Sequence, residues 1–238
     1  MSRRFEELDW QSTDMGEISL RRRLEPMLKV DVFEVKLGEE FLMSSLFPVA
    51  EIELARLGLA ACAGDGDGLD VLVGGLGLGY TAVTALEDPS VRSLSVVEAL
   101  EPVISWHERR LLPDVAGLTA DPRTRLVHGD FFALASGTTG FGDGTPERFH
   151  AVLLDIDHTP GHVLHPSHAA FYSPDGLRAL RRYLHPGGVF AMWSDEPPDE
   201  GFLDLLRGEF TTVHGHLVPF PNPLTGGTSS NGVYVAIA

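Results

Sequence analysis

Val71-Leu-Val-Gly-Gly-Leu-Gly-Leu-Gly-Tyr-Thr-Ala82 decides how this chain folds. A short apolar run, dense in β-branched residues, enters a turn rich in glycine, and a helix-forming segment follows. Glycine accepts positive φ and lets another group approach the backbone closely. The first turn of a helix leaves N–H groups unpaired, ready for a polar ligand.

Working outward, further apolar runs occur at 94–97, 125–127, 151–154 and 189–193. Helical segments at 80–86, 102–111 and 174–184 lie between them. Strands alternating with helices predict a mostly parallel sheet covered on both faces. A helix over 199–207 and strands at 210–214 and 233–236 would add an antiparallel edge, giving seven strands. The fold class is α/β, Rossmann-like.

Upstream the pattern differs. Residues 30–36 alternate apolar and polar side chains, the period of a half-buried strand, and 41–43 can return as its partner. Pro48 then opens a helix over 50–59. Residues 63–70 crowd Gly and Asp without the ligand spacing of a calcium loop and are expected to be a connector. The expected organisation is an N-terminal β-hairpin and helix segment, 1–62, followed by a nucleoside-binding catalytic domain, 63–238.

Composition narrows the function. The 238 residues include 18 Lys+Arg against 34 Asp+Glu, a formal charge of −16. That balance disfavours nucleic acid as a partner, because phosphate contacts need clustered basic groups. The one cysteine, Cys62, excludes an internal disulfide and a cysteine-rich zinc site. No apolar stretch opens the chain as a secretory leader would, and the run 71–86 is too short and glycine-rich to span a bilayer. A cytoplasmic protein is expected.

Four polar features fall at the carboxyl ends of successive strands, where open α/β sheets bind ligands. The first is the turn Gly75-x-Gly77-x-Gly79. Glu98 ends the second strand, about twenty residues on, where a carboxylate can accept both hydroxyls of a ribose. Asp130 follows the third strand; it could hold an adenine amino group with Phe131 or Phe132 against the ring, or merely cap the next helical turn. Asp155 ends the fourth, with Asp157 and His158 close behind. The register Gly77 to Ala82 also fits a dinucleotide fingerprint, but the register beginning at Gly75 sits tighter on the strand. That tighter register is the pattern of S-adenosylmethionine-binding enzymes, and the turn Leu184-His-Pro-Gly-Gly188 recurs before their fifth strand. His158, His162, His165 and His168 crowd one loop, yet Pro160, Gly161 and Pro166 prevent regular helical pairing of ligands, so no metal site is expected.

With these residues assembled, the chain resembles the spermidine/spermine synthase family, built on the class I methyltransferase fold, from about Val30 to the C-terminus. The resemblance implies decarboxylated S-adenosylmethionine, or S-adenosylmethionine itself, as co-substrate on Gly75, Gly77, Gly79, Glu98, Asp130 and Phe131. It implies Asp155 as the catalytic proton acceptor and a small amine or other small nucleophile as acceptor. Family members usually associate through their N-terminal region, implying a homodimer. The chain departs from the family in two places. His158 stands where a second aspartate holds the substrate amine, with Asp157 one residue away as a substitute. Val49-Ala-Glu51 replaces Tyr-His-Glu. Glu51, His158 and Tyr172 are thus the acceptor-side candidates, with Asp155 and Asp157 as the catalytic pair. Aminopropyl transfer is the leading reading. Methyl transfer, a non-catalytic nucleoside-binding protein and a nicotinamide-dependent oxidoreductase are the alternatives.

Overall fold

The computed structural model describes residues 5–62 and 66–238. Residues 63–65 of the expected connector, and the start of the chain at 1–4, lie outside the described residues.

The N-terminal unit is larger than a hairpin. β1 (Phe5–Thr13), β2 (Gly16–Glu25), β3 (Val30–Leu37) and β4 (Glu40–Ser44) form an antiparallel sheet in sequential order. The hairpin of β3 and β4 was legible, whereas β1 and β2 were not. Their alternation is carried by charges that pair across strands: Arg22 with Glu6 at 2.7 Å, and Arg23 with Glu34 at 2.6 Å. Ile18, Leu20 and Val35 are fully buried on the inner face.

α1 (Val49–Ala60) leaves this sheet and packs on the second sheet, so the expected division at 62/63 would separate it from the surface it covers. Leu54 and Ala55 are fully buried there.

The second sheet contains β5 (Leu69–Gly74), β6 (Val91–Glu98), β7 (Thr124–His128), β8 (Phe149–Leu154), β9 (Leu184–Ser194), β10 (Thr212–Asn222) and β11 (Gly227–Ile237). Its order is β10-β11-β9-β8-β5-β6-β7. β5 to β9 run parallel, and β11 pairs antiparallel with both β9 and β10. The central strands β5 and β8 are buried at every position, as a sheet covered on both faces requires. α1, α2 (Tyr80–Glu87) and α3 (Glu101–Glu108) enclose one apolar cluster, centred on Val71, Val73 and Leu153. α4 (Phe131–Ser136), α5 (Pro174–Arg181) and α6 (Glu200–Glu209) cover the other, which is rich in Phe and Tyr.

Strand order reverses beside β5, between β6 and β8, and the crevice at such a switch point is where this architecture binds ligands. Asp9 of β1 fastens the N-terminal sheet beside it. Its Oδ2 accepts the indole N–H of the fully buried Trp106 at 2.7 Å, and its Oδ1 lies 3.2 Å from Arg109. No helix among the described residues is long and apolar enough to cross a membrane.

Candidate active site

The glycine turn adopts a conformation closed to other residues. Gly75, Gly77 and Gly79 have φ of 93°, 48° and 89°. A Cβ on Gly75 would lie 2.1 Å from the carbonyl oxygen of Asp155, so the turn and the end of β8 are packed backbone to backbone. Gly79 is the residue before α2, which therefore begins with its N–H groups at the crevice.

Glu98 is bound to the same turn. Its Oε2 accepts from the N–H of Leu76 (3.0 Å) and Gly77 (3.4 Å), and its Oε1 from Leu100 N–H (2.9 Å). Burial pushes this carboxyl above its ordinary value, while the backbone donors pull it down. Asp130 caps α4, its Oδ1 accepting from Phe132 and Ala133 N–H, and it also lines the crevice. Both alternatives raised for it are therefore compatible with one position. Phe131 contributes a wall but is only 2% exposed. Its ring belongs to the aromatic core, 5.5 Å from that of Phe141, rather than standing free as a stacking platform.

Two cavities meet over this edge. The smaller, about 280 Å³, is mostly apolar and includes Gly75, Val97, Glu98, Leu100, Asp130 and Phe132. The larger, about 690 Å³, is lined by Glu51, Asp155, His158 and Asp195 and by the β10–β11 hairpin residues Asn222 and Asn231. Both are bounded by Gly77, Asp155, Ile156 and Leu164, and by Leu42 and Met43 from β4. Among the described residues, neither is lined by a lysine or arginine.

Asp155 stands at the junction. Thr81, in the first turn of α2, donates its hydroxyl to Asp155 Oδ2 at 2.7 Å. The Thr81 hydroxyl oxygen also lies 3.2 Å from the Glu51 carbonyl oxygen, so Thr81 holds α1 against the site as well. Burial raises Asp155 to about 6, Thr81 opposing the shift. Glu51 is raised to about 8, first by burial and then by repulsion from Asp155 and Asp195. Two acids that cannot both ionise cheaply share protons as a pair. Such a pair favours a cation between its members and can take a proton near neutral pH.

Two expected site residues are not in the cavities. Asp157 is 3% exposed and its carboxylate is fully engaged: Oδ1 accepts from Leu164 N–H and His168 Nδ1, both at 2.8 Å, and Oδ2 from the Tyr172 hydroxyl at 2.8 Å. Asp157 therefore does not replace the missing amine-binding aspartate, and Tyr172 is its donor rather than a substrate contact. β8 ends at Leu154, and beyond it Asp157 turns into the interior toward His168 and Tyr172. His158 does reach the larger cavity, 3.5 Å from Glu40. Asp195 and Asn231 were missed as a unit: Asn231 Nδ2 donates to Asp195 Oδ1 at 3.1 Å across the pairing of β9 and β11. Only the long-range strand register brings them together.

The histidine loop forms no ligand set in this geometry. At the opposite end of the sheet Asp70, His150 and His185 converge. There His150 Nδ1 accepts from Asp70 N–H, which places the ring proton on Nε2, the nitrogen a metal would need, and Asp70 is already paired with Arg92.

These features define a candidate small-molecule site on the class I methyltransferase fold. No known family's sequence profile matches the chain. It is 32% identical over 162 residues to a polyamine aminopropyltransferase of Nitrosomonas europaea, covering 66% of this chain and 46% of the relative. It is 30% identical over 119 residues to putrescine N-methyltransferase 2 of Nicotiana attenuata, covering 50% and 29%. The chain thus spans less than half the length of these curated relatives. Among solved structures, the spermidine synthase of Thermotoga maritima superposes with a TM-score of 0.72 at 18% identity, covering 97% of this chain and 72% of that one. A spermidine synthase bound to the transition-state analogue AdoDATO gives 0.72 at 17% identity, covering 97% and 73%. The chain is thus similar in sequence to these polyamine enzymes over part of its length and shares the fold of the spermidine synthases.

Proposed function

We propose that this protein transfers an aminopropyl group from decarboxylated S-adenosylmethionine to a small amine. The observation that carries the reading is the meeting of two cavities at Asp155, one mostly apolar with Glu98 and Asp130 on its wall, the other acidic, and neither lined by a lysine or arginine among the described residues. A donor bearing an α-carboxylate would bring a negative charge toward Glu51, Asp155 and Asp195, with no lysine or arginine among the described lining residues to meet it. The decarboxylated donor brings an ammonium instead, which the same acids favour.

In this reading the adenosine lies between the glycine turn and Asp130, with its ribose hydroxyls toward Glu98. The acceptor enters the acidic cavity as an ammonium, whose ordinary pKa near 10 leaves it unreactive. Asp155 takes the proton, and the freed lone pair attacks the propyl carbon next to sulfur. The N–C bond forms as the C–S bond breaks, and methylthioadenosine leaves. The sulfonium already activates that carbon, so no metal is needed. Glu51, Asp195 and His158 hold the acceptor, and the net charge of −16 draws polycations toward the site. The protein would act in the cytoplasm without nucleic acid or membrane partners. Exposed Phe5 and Trp10 on the edge strand β1 support a homodimer through the N-terminal sheet.

Methyl transfer from S-adenosylmethionine is the second reading, favoured by the likeness to putrescine N-methyltransferases. Incubation with putrescine and each donor in turn, read by mass spectrometry, separates the two. An aminopropylated amine together with methylthioadenosine supports the first reading. A methylated amine formed only with S-adenosylmethionine replaces it with the second.

A further inference from the structure

His168 lies on the loop after β8, eleven residues past Asp157 in sequence, and its ring lines the smaller cavity. Two contacts fix it. One face stacks on Phe132 with centroids 4.0 Å apart and planes at 24°. Nδ1 is 2.8 Å from Asp157 Oδ1, and that carboxylate also accepts from Leu164 N–H and the Tyr172 hydroxyl. Tyr172 is held in its protonated form by burial and by the charge on Asp157, so it can only donate to that acid. With donors on every side, Asp157 accepts, and the proton on the imidazole is at Nδ1.

The other ring nitrogen is therefore left with its lone pair in the uncharged ring. Among the described residues no hydrogen bond engages Nε2, and His168 lines the smaller cavity together with Asp130, Phe132 and Ser167. The sheet edge locates which part of a nucleoside would meet it. The glycine turn follows β5, Glu98 ends the neighbouring β6, and Asp130 follows β7 on the far side, where Phe132 stacks on His168. Asp130 has Oδ1 committed to capping α4.

Resting on the nucleoside reading above, the geometry points to His168 as a base-reading residue: its Nε2 accepts a hydrogen bond from the exocyclic amino group of adenine, with Asp157 and Tyr172 fixing the tautomer. Sequence spacing assigned Asp157 and Tyr172 to the acceptor; here they act through His168 on the donor. A 6-oxo purine presents an acceptor at the same place, and two lone pairs would then face each other in a desolvated pocket.

The test is calorimetric titration at pH 8 with methylthioadenosine and methylthioinosine. Wild type should prefer the adenine compound by more than about tenfold, the scale set by leaving a buried polar group unpaired. In His168→Leu that preference should largely collapse because adenine binding weakens while inosine binding does not. A preference that survives intact in His168→Leu overturns the proposal. Wild type also supplies a readout independent of any variant's folding. In the long-range ¹H–¹⁵N spectrum, the acceptor nitrogen of His168 should shift on adding methylthioadenosine and not methylthioinosine; equal responses overturn the proposal. Wild type that binds neither nucleoside would refute the functional reading itself, whereas binding without base preference refutes only the role of His168.

Discussion

Thr81 donates its hydroxyl to Asp155 at 2.7 Å, tying the first turn of α2 to the end of β8. The bond joins the element that begins at the glycine turn to the acid at the junction of the two cavities. It stabilises the ionised carboxylate and so opposes the upward push of burial. Removing it in Thr81→Val should raise Asp155 further. The ionised acid is the active form, so the acid limb of the kcat/KM profile should move to higher pH. An unchanged limb would show that this bond does not tune the base.

Asp155→Asn leaves shape and neighbours nearly intact but cannot accept the proton. Turnover should fall by a factor on the order of 10² to 10⁴, the usual worth of a positioned general base. The affinity for methylthioadenosine should change little. Steady-state rates and calorimetry on the same preparation check both halves.

Glu51 links the site to stability. Its carboxyl rises from 4.5 to about 8 through burial and the neighbouring acids. A raised folded-state value means the folded protein holds the proton more tightly than the unfolded chain does. The resulting stability is complete below about pH 4.5 and is lost as pH rises through 8. Thermal melts without ligand should therefore show a falling Tm from pH 6 to 9. Glu51→Gln should flatten that fall and melt higher than wild type at pH 9, while binding an amine more weakly. A steeper fall in the variant would reverse the sign assigned here.

Glu98→Gln replaces an acceptor of three backbone N–H groups by an amide with one oxygen. The turn loses part of its anchor and the ribose loses its acceptor, so methylthioadenosine affinity should drop by about tenfold or more. Gly75→Ala tests the same turn sterically. Its φ of 93° and the 2.1 Å approach to the Asp155 carbonyl leave no room for a methyl group. It should lower Tm sharply and abolish nucleoside binding.

The catalytic sheet was legible because its buried strands are continuous apolar runs, and because a ligand-binding acid at a strand end is fixed by local chain direction. Glu98 and Asp155 follow from that rule alone. The β1–β2 hairpin was not legible, since Arg21-Arg22-Arg23 looks like a solvated charge run until Glu6 and Glu34 are placed opposite it. The inward turn of Asp157 was not legible for a related reason: it lies three residues beyond the end of β8 at Leu154, where spacing no longer says which way a side chain points. Leu42 and Met43 as walls of both cavities depend on how one sheet docks on the other, through Asp9 and Trp106, about a hundred residues apart.

The most direct test of the account is a pair of calorimetric titrations, one with methylthioadenosine and one with S-adenosylhomocysteine. They share the nucleoside and differ in the amino-acid tail on sulfur. With Glu51, Asp155 and Asp195 beside the tail and no lysine or arginine among the described residues lining either cavity, methylthioadenosine should bind tighter. Tighter binding of S-adenosylhomocysteine would contradict aminopropyl transfer and make the protein a methyltransferase.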